Sequence, residues 1–182
     1  MFKIDRDGAF KLCIFGDGGV GKTTLVKRYL TRVFDEDSIR MTIGADFSIK
    51  TFEIEGKKVV VRIWDFAGEE RFKVLLPSFA KGADGGIFMY DISRYTSIKN
   101  LDDWLSIFER NVRGQQMKIP IVMVGGKLDL EDKRSVETAE AIELSKAHNL
   151  QGIYECSSKT GVNVEEIFEH ITRKMMENAG ML

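Results

Sequence analysis

The 182 residues include two cysteines, two prolines and a formal net charge of only −1, and each shortage excludes something. Cys13 and Cys156 both lie in apolar, strand-like runs. Two thiols so placed make neither a disulfide framework nor a metal knuckle; they read as small core residues in a reducing, cytoplasmic setting. Proline-rich tracts are absent, as are low-complexity segments, internal repeats and interdomain linkers. Near-zero net charge offers no basic stripe for nucleic acid. No apolar run approaches the ~20 residues that span a bilayer, and Met1 to Asp7 lacks the apolar stretch of a secretory signal. What is present is ordinary for a globular chain: 43% hydrophobic and 30% charged residues, enough for one domain over 1–182 with a single core.

Apolar runs alternate with segments of helical period, the pattern of an α/β protein built from βαβ units. Strands are expected at Ala9 to Gly16, Ala45 to Glu55, Lys58 to Phe66, Asp84 to Asp91, Ile119 to Gly125 and Gly152 to Cys156. The second and third are joined at Gly56-Lys57, a link so short that it makes the one antiparallel pair in a six-stranded, mostly parallel sheet. A first helix covers Gly21 to Val33. Ile98, Leu101, Leu105, Phe108 and Val112 form one face of a third helix, and Val164, Ile167, Phe168, Ile171 and Met175 one face of the last. Asn163 and Glu166 form a capping-box-like pair at the start of that last helix. Helices then cover both faces of the sheet, and ligands are expected beyond the carboxyl ends of its strands.

Between the first strand and first helix lies Gly16-Asp17-Gly18-Gly19-Val20-Gly21-Lys22-Thr23, which fits G-x-x-x-x-G-K-[ST] in the required strand–loop–helix context. A loop wrapped around a phosphate exposes successive backbone N–H groups in conformations that a Cβ resists, hence the glycines. Gly18, Gly19, Val20, Gly21, Lys22, Thr23 and Thr24 are therefore the candidate phosphate-binding residues. Lys22 brings a point charge for β- and γ-phosphates, the Thr23 hydroxyl can ligate Mg²⁺, and the helix dipole points at the same anion.

Three later strands end in chemistry of their own. After the third, Asp65 can hold Mg²⁺, and Gly68 lets a backbone N–H approach a γ-phosphate. After the fifth, Lys127 can lie along a base, and Asp129 can accept the adjacent N1–H and N2–H₂ of guanine, a donor pair that adenine lacks. After the sixth, Ser157-Ser158-Lys159 can supply a backbone N–H to guanine O6. GTP or GDP with Mg²⁺ is the implied ligand set.

With these residues in order, the chain resembles the Ras superfamily of small GTPases, most closely the Rab branch, from about Ala9 to Met176. Further Rab-like residues are Thr42-Ile43-Gly44-Ala45-Asp46-Phe47, Trp64-Asp65-x-Ala67-Gly68, Glu70-Arg71-Phe72 and Gly82-Ala83. The resemblance implies a P-loop small-GTPase fold and slow GTP hydrolysis. It also implies a molecular switch of the kind used in vesicle trafficking. Phe34 would pack on the guanine, Thr42 would reach Mg²⁺ and the γ-phosphate in the GTP state, and segments 34–44 and 66–81 would be the switch regions. Phe47, Trp64 and Phe79 match an aromatic triad presented to effectors, though the same rings could simply pack the hairpin against the switch helix. Exchange factor, activating protein and effectors are the implied protein partners, and the chain is expected to be a monomer.

Four departures from the family pattern bear on function. Glu69 stands where a water-orienting glutamine is usual; a carboxylate accepts from water but donates nothing while ionised, so the direction of the rate change stays open. Lys22, Gly68 and Glu69 are the candidate catalytic residues; no arginine in the chain obviously serves in cis, so an arginine finger is expected from a partner, with Gly18 leaving room for it. Gly126 replaces the asparagine that ties base to P-loop, so Gly126→Asn is expected to tighten binding. Phe66 replaces a threonine and is expected to be buried or lodged against the switch helix. The last residues, Met175 to Leu182, carry no prenylation cysteine. Either the tail lies outside this chain or the protein works without a lipid anchor; nothing in the chain itself would hold it stably to a membrane, and partners could bring it there. Two other readings remain at this point: a nucleotide-binding interaction module with little or no hydrolysis, and a P-loop nucleotide kinase, for which no arginine-bearing lid is visible.

Overall fold

A computed structural model describes residues 6–112 and 118–182, with side chains of 111 and 112 excluded. The expectations for Met1 to Asp5 and for the Val112 side chain lie outside the described residues. In chain order the elements are β1 (Gly8–Phe15), α1 (Lys22–Thr31), β2 (Ala45–Ile54), β3 (Lys57–Phe66), α2 (Leu76–Ala80), β4 (Gly85–Asp91), α3 (Thr96–Lys99), α4 (Leu101–Val112), β5 (Ile121–Gly126), α5 (Thr138–Ala147), β6 (Ile153–Glu155) and α6 (Val164–Asn178).

The sheet runs β2-β3-β1-β4-β5-β6. Only the β2–β3 pair is antiparallel. The central strands are buried on both faces, which is why Leu12 to Phe15 read as an unbroken apolar run rather than an alternation. One core layer packs α1 and α6 onto the sheet: Tyr29 stacks on Phe168 with centroids 4.1 Å apart. The opposite layer packs α2, α4 and α5, with Phe15 stacked on Phe108 at 4.5 Å and Trp104 fully buried beside them. Among the described residues no helix is long and apolar enough to cross a membrane. Cys13 and Cys156 are buried and free, and burial pushes both thiols up to about 12, so neither is reactive.

Four local expectations need correction. The β2–β3 link is Glu55-Gly56, not Gly56-Lys57: both residues take positive φ (50° and 73°), as a turn matching strand twist demands. The first helix stops at Thr31, where Arg32 turns left-handed and its N–H donates to the Arg28 carbonyl. The stripe from Ile98 to Phe108 is split between α3 and α4 around Asn100, whose side-chain amide donates to the Asp17 carboxylate at 2.8 Å. Asn163 forms no capping box. It adopts φ 59°, and its amide donates instead to the Glu155 carbonyl at 2.7 Å, joining α6 to the end of β6.

Candidate functional site

β1 and α1 fix the glycine octet by geometry that other residues cannot copy. Gly16 has φ 139°, and a Cβ there would stand 2.1 Å from the Met89 carbonyl oxygen. Gly21 turns the chain into α1 with φ 104°. The Lys22 ammonium, with the residue only 6% exposed, folds back to donate to the carbonyls of Gly16 (2.8 Å) and Asp17 (2.7 Å). Two of its three protons are thereby committed and one remains. Burial lowers its pKa to about 8, partly offset by Asp65 and Asp17. The loop is held from behind as well: the Asp17 carboxylate accepts from Asn100 and from the buried Trp104 indole N–H, each at 2.8 Å.

A cavity of about 430 Å³ opens over this loop. Gly18, Gly19, Val20, Gly21, Lys22, Thr23, Thr24 and Gly68 line its phosphate-like end. Phe34 and Thr42 approach from the α1–β2 segment, and Lys127, Asp129, Ser158 and Lys159 close the far end. Phe66 and Met89 are among the residues of the wall between.

Near Lys22, three oxygen-bearing side chains converge. The hydroxyls of Thr23 and Thr42 are 2.5 Å apart, and the Thr23 hydroxyl donates to Asp65 Oδ2 in a short hydrogen bond. Asp65 Oδ1 is buried without a partner, and burial pushes that carboxyl up to about 6. An orphaned carboxylate oxygen beside two hydroxyls fits a hard divalent cation that takes its remaining ligands from phosphate and water. Among the described residues no group of three His, Cys, Asp or Glu could hold a metal without such help.

At the far end Lys127 is left-handed (φ 66°), and its ammonium meets Asp91 at 2.7 Å. Burial alone would raise the Asp91 carboxyl, but Lys127 and two bonds from Ser93 hold it below the ordinary range. Ser157 differs from expectation. Its N–H donates to the Val162 carbonyl, and its hydroxyl donates to Asp129 Oδ1 at 2.6 Å. It therefore stands behind the wall and orients Asp129, while Ser158 and Lys159 face the cavity. Arg134, outside every motif, bridges Glu155 and Glu131 with bonds of 2.6–2.8 Å and ties the Leu128–Lys133 turn to β6.

Gly126 and Met89 form a pair that no spacing announces. A Cβ on Gly126 would lie 2.4 Å from the Met89 methyl and 3.1 Å from the Val20 carbonyl oxygen. The thioether fills the space that an asparagine side chain would need. Gly126→Asn is therefore expected to displace the Met89 side chain, and alone to tighten binding less than it would with that space clear. Combined with Met89→Ala, it is expected to slow nucleotide release by about tenfold, the worth of one added hydrogen bond to a charged or polar ligand. Dissociation rates of a fluorescent GDP across the double-mutant cycle measure this.

Phe66 is 3% exposed and its ring lies 5.5 Å from that of Phe79, so it is both buried and lodged against α2. Gly68 packs directly on the octet, whereas Glu69 faces a second cleft of about 270 Å³ shared with Gly18 and Arg94. The Glu69 carboxylate accepts from Arg71 at 2.7 Å.

The profile of the Ras family matches residues 11–177. This chain is similar to the Ras-related protein Rab-13 of Canis lupus familiaris, at 37% identity over 174 residues, covering 96% of this chain and 83% of that protein. It is similar also to the GTP-binding protein ypt1 of Schizosaccharomyces pombe, at 40% over 177 residues, covering 97% and 84% respectively. The Ras-related protein RAB1BV of Beta vulgaris is 37% identical over 176 residues, covering 96% and 80%.

Proposed function

This chain belongs to the Ras family, and from that premise we propose how its residues divide the work of a Rab-like GTPase switch. It binds guanine nucleotide, hydrolyses GTP and acts as a molecular switch of the vesicle-trafficking type; family membership favours turnover over a silent binding module. The observation that carries the assignment of residues is one continuous cavity. Gly18 to Thr24 line one end, where Thr42 meets the Thr23 hydroxyl and Asp65 accepts from it, and Lys127, Asp129 and Ser158 line the other.

In this reading residues 1–182 act as one G domain. Thr23, Thr42 and Asp65 would hold Mg²⁺, which when bound neutralises charge on the β- and γ-phosphate oxygens. Lys22 uses its free proton on the same phosphates, and the octet's N–H groups follow them. Asp129, oriented by Ser157, selects guanine by accepting two donors. Phe34 covers the base, and the Ser158-Lys159 backbone meets its O6 edge. Thr42 links the γ-phosphate end to segment 34–44, so loss of that phosphate releases the segment.

Phe47, 44% exposed, stands 5.0 Å from Trp64, which stands 5.5 Å from Phe79. Ile49, two residues along β2 from Phe47 and so on the same face, is also exposed, as are Ile43 and Val74 within segments 34–44 and 66–81. Such a patch beside two switch segments suits effectors, and exchange and activating proteins would engage the same neighbourhood. The protein works as a cytoplasmic monomer that associates peripherally with membranes.

Analysis of the nucleotide carried by purified protein, followed over time, tests the reading: GDP or GTP is expected, with GTP decaying to GDP. Adenine nucleotide, or none, overturns it. Glu69 is assigned to orient the attacking water from the second cleft. Glu69→Ala is expected to slow single-turnover hydrolysis by about tenfold or more; an unchanged rate removes Glu69 from that role.

A further inference from the structure

Arg94, in the turn between β4 and α3, belongs to none of the motifs above. Its Nη2 donates to the Gly18 carbonyl at 2.6 Å across 76 residues of sequence. A Cβ on Gly19 would stand 3.6 Å from its Nη1, so the guanidinium lies against both glycines of the octet's turn. Its Nε is buried with no hydrogen-bond partner. The cleft it lines also holds Gly68 and Glu69, and Gly18 and Gly68 form the wall common to that cleft and the nucleotide cavity.

A trans peptide carries its C=O and its N–H on opposite sides. With the Gly18 carbonyl held in the side cleft by Arg94, the following N–H, that of Gly19, is directed the other way, and Gly19 lines the nucleotide cavity. The same bond fixes a permanent positive charge beside the P-loop, in the cleft that Glu69 also lines.

We propose that Arg94 is a positioning residue for GTP hydrolysis, an arginine supplied by the chain itself. It locks the Gly18–Gly19 peptide with its N–H toward the terminal phosphate. Water adds to the γ-phosphorus, the bond to the β,γ-bridging oxygen breaks, and GDP and inorganic phosphate leave with the water's protons. Arg94 donates hydrogen bonds throughout and exchanges no proton. This rests on the reading of the main cavity as the GTP site.

The test compares wild type with Arg94→Ala, Arg94→Gln and Arg94→Lys in three measurements: single-turnover GTP hydrolysis, release of a fluorescent GDP, and binding of aluminium fluoride to the GDP form as a mimic of the transferring phosphoryl group. Arg94→Ala and Arg94→Gln are expected to slow hydrolysis by about tenfold or more and to weaken the aluminium fluoride response in parallel. GDP release should change less than about threefold. Arg94→Lys, which keeps the charge and can still donate to the Gly18 carbonyl, should recover most of the loss. If Arg94→Ala fails to fold, Arg94→Gln and Arg94→Lys carry the comparison at matched melting temperature. Hydrolysis and aluminium fluoride binding at wild-type levels overturn the proposal. So does a loss of GDP as large as the loss of rate, which would make Arg94 a mere brace of the loop. Failure of the wild type to hold guanine nucleotide would instead strike the cavity assignment, and the wild-type arm alone reveals that.

Discussion

Lys22→Ala is expected to weaken GDP and GTP binding by more than about a hundredfold, because truncating one side of a buried, hydrogen-bonded charge pair costs about 3 kcal/mol or more. The ammonium is among the few buried charges of the described residues, and it braces the octet by donating to two of that loop's own carbonyls. Burial has already drawn its pKa down to about 8, a sign that the nucleotide-free fold holds this charge at a cost. Phosphates relieve that cost, so the substitution is expected to separate two quantities that usually fall together. Affinity drops steeply, while the melting temperature of the nucleotide-free protein stays level or rises. Lys27→Ala, on the exposed side of the same helix, should change neither. Titration of a fluorescent GDP and thermal melts of stripped protein check both halves. Nucleotide affinity within about threefold of wild type would mean that the octet's backbone alone grips the phosphates.

Much of this site could be read from one chain because its chemistry sits in short segments that each follow a strand. The octet, Asp65 with Gly68, and Lys127 with Asp129 carry their meaning in local spacing, and the order of the strands brings them to one end of the sheet. The burial of Phe66 against Phe79 was legible for the same reason, since both lie in one switch segment. What stayed illegible depends on partners far apart in sequence. Asp17 meets Asn100 and Trp104, and Gly18 meets Arg94, only because β4 lies next to β1. Met89 fills the place beside Gly126 because β4 and β5 are neighbours, and neither residue advertises the other. Ser157 turned inward for a different reason. Its hydroxyl and amide had partners close by, in Asp129 and in the turn to Val162, so the loop satisfied them internally and left Ser158 and Lys159 to face the cavity.

Gly68→Ala is expected to lower single-turnover GTP hydrolysis by about a hundredfold, comparable to removing one preorganised donor from a developing charge. The reason is space, not backbone strain. A Cβ at this position would stand 2.3 Å from the Asp17 carbonyl carbon and the Gly18 nitrogen, and 2.4 Å from the Gly16 carbonyl oxygen. All three are backbone atoms of a loop already held by Lys22, Asn100, Trp104 and Arg94, so none can yield as the Met89 methyl can beside Gly126. Nor can the strand before it retreat. Asp65 pairs in register with Ile14 of β1, three residues earlier. The displacement must therefore pass forward, carrying Glu69 and the Glu70–Leu75 turn away from the P-loop. The Lys127, Asp129 and Ser158 end of the cavity is built from β5 and the loop after β6, and the change does not reach it. GDP release should accordingly stay within about threefold of wild type, as expected of an interaction made mainly with the reacting phosphate. If GDP release accelerates as much as hydrolysis slows, the clash has been absorbed by the octet itself, and Gly68 belongs to phosphate binding and not to the hydrolytic step.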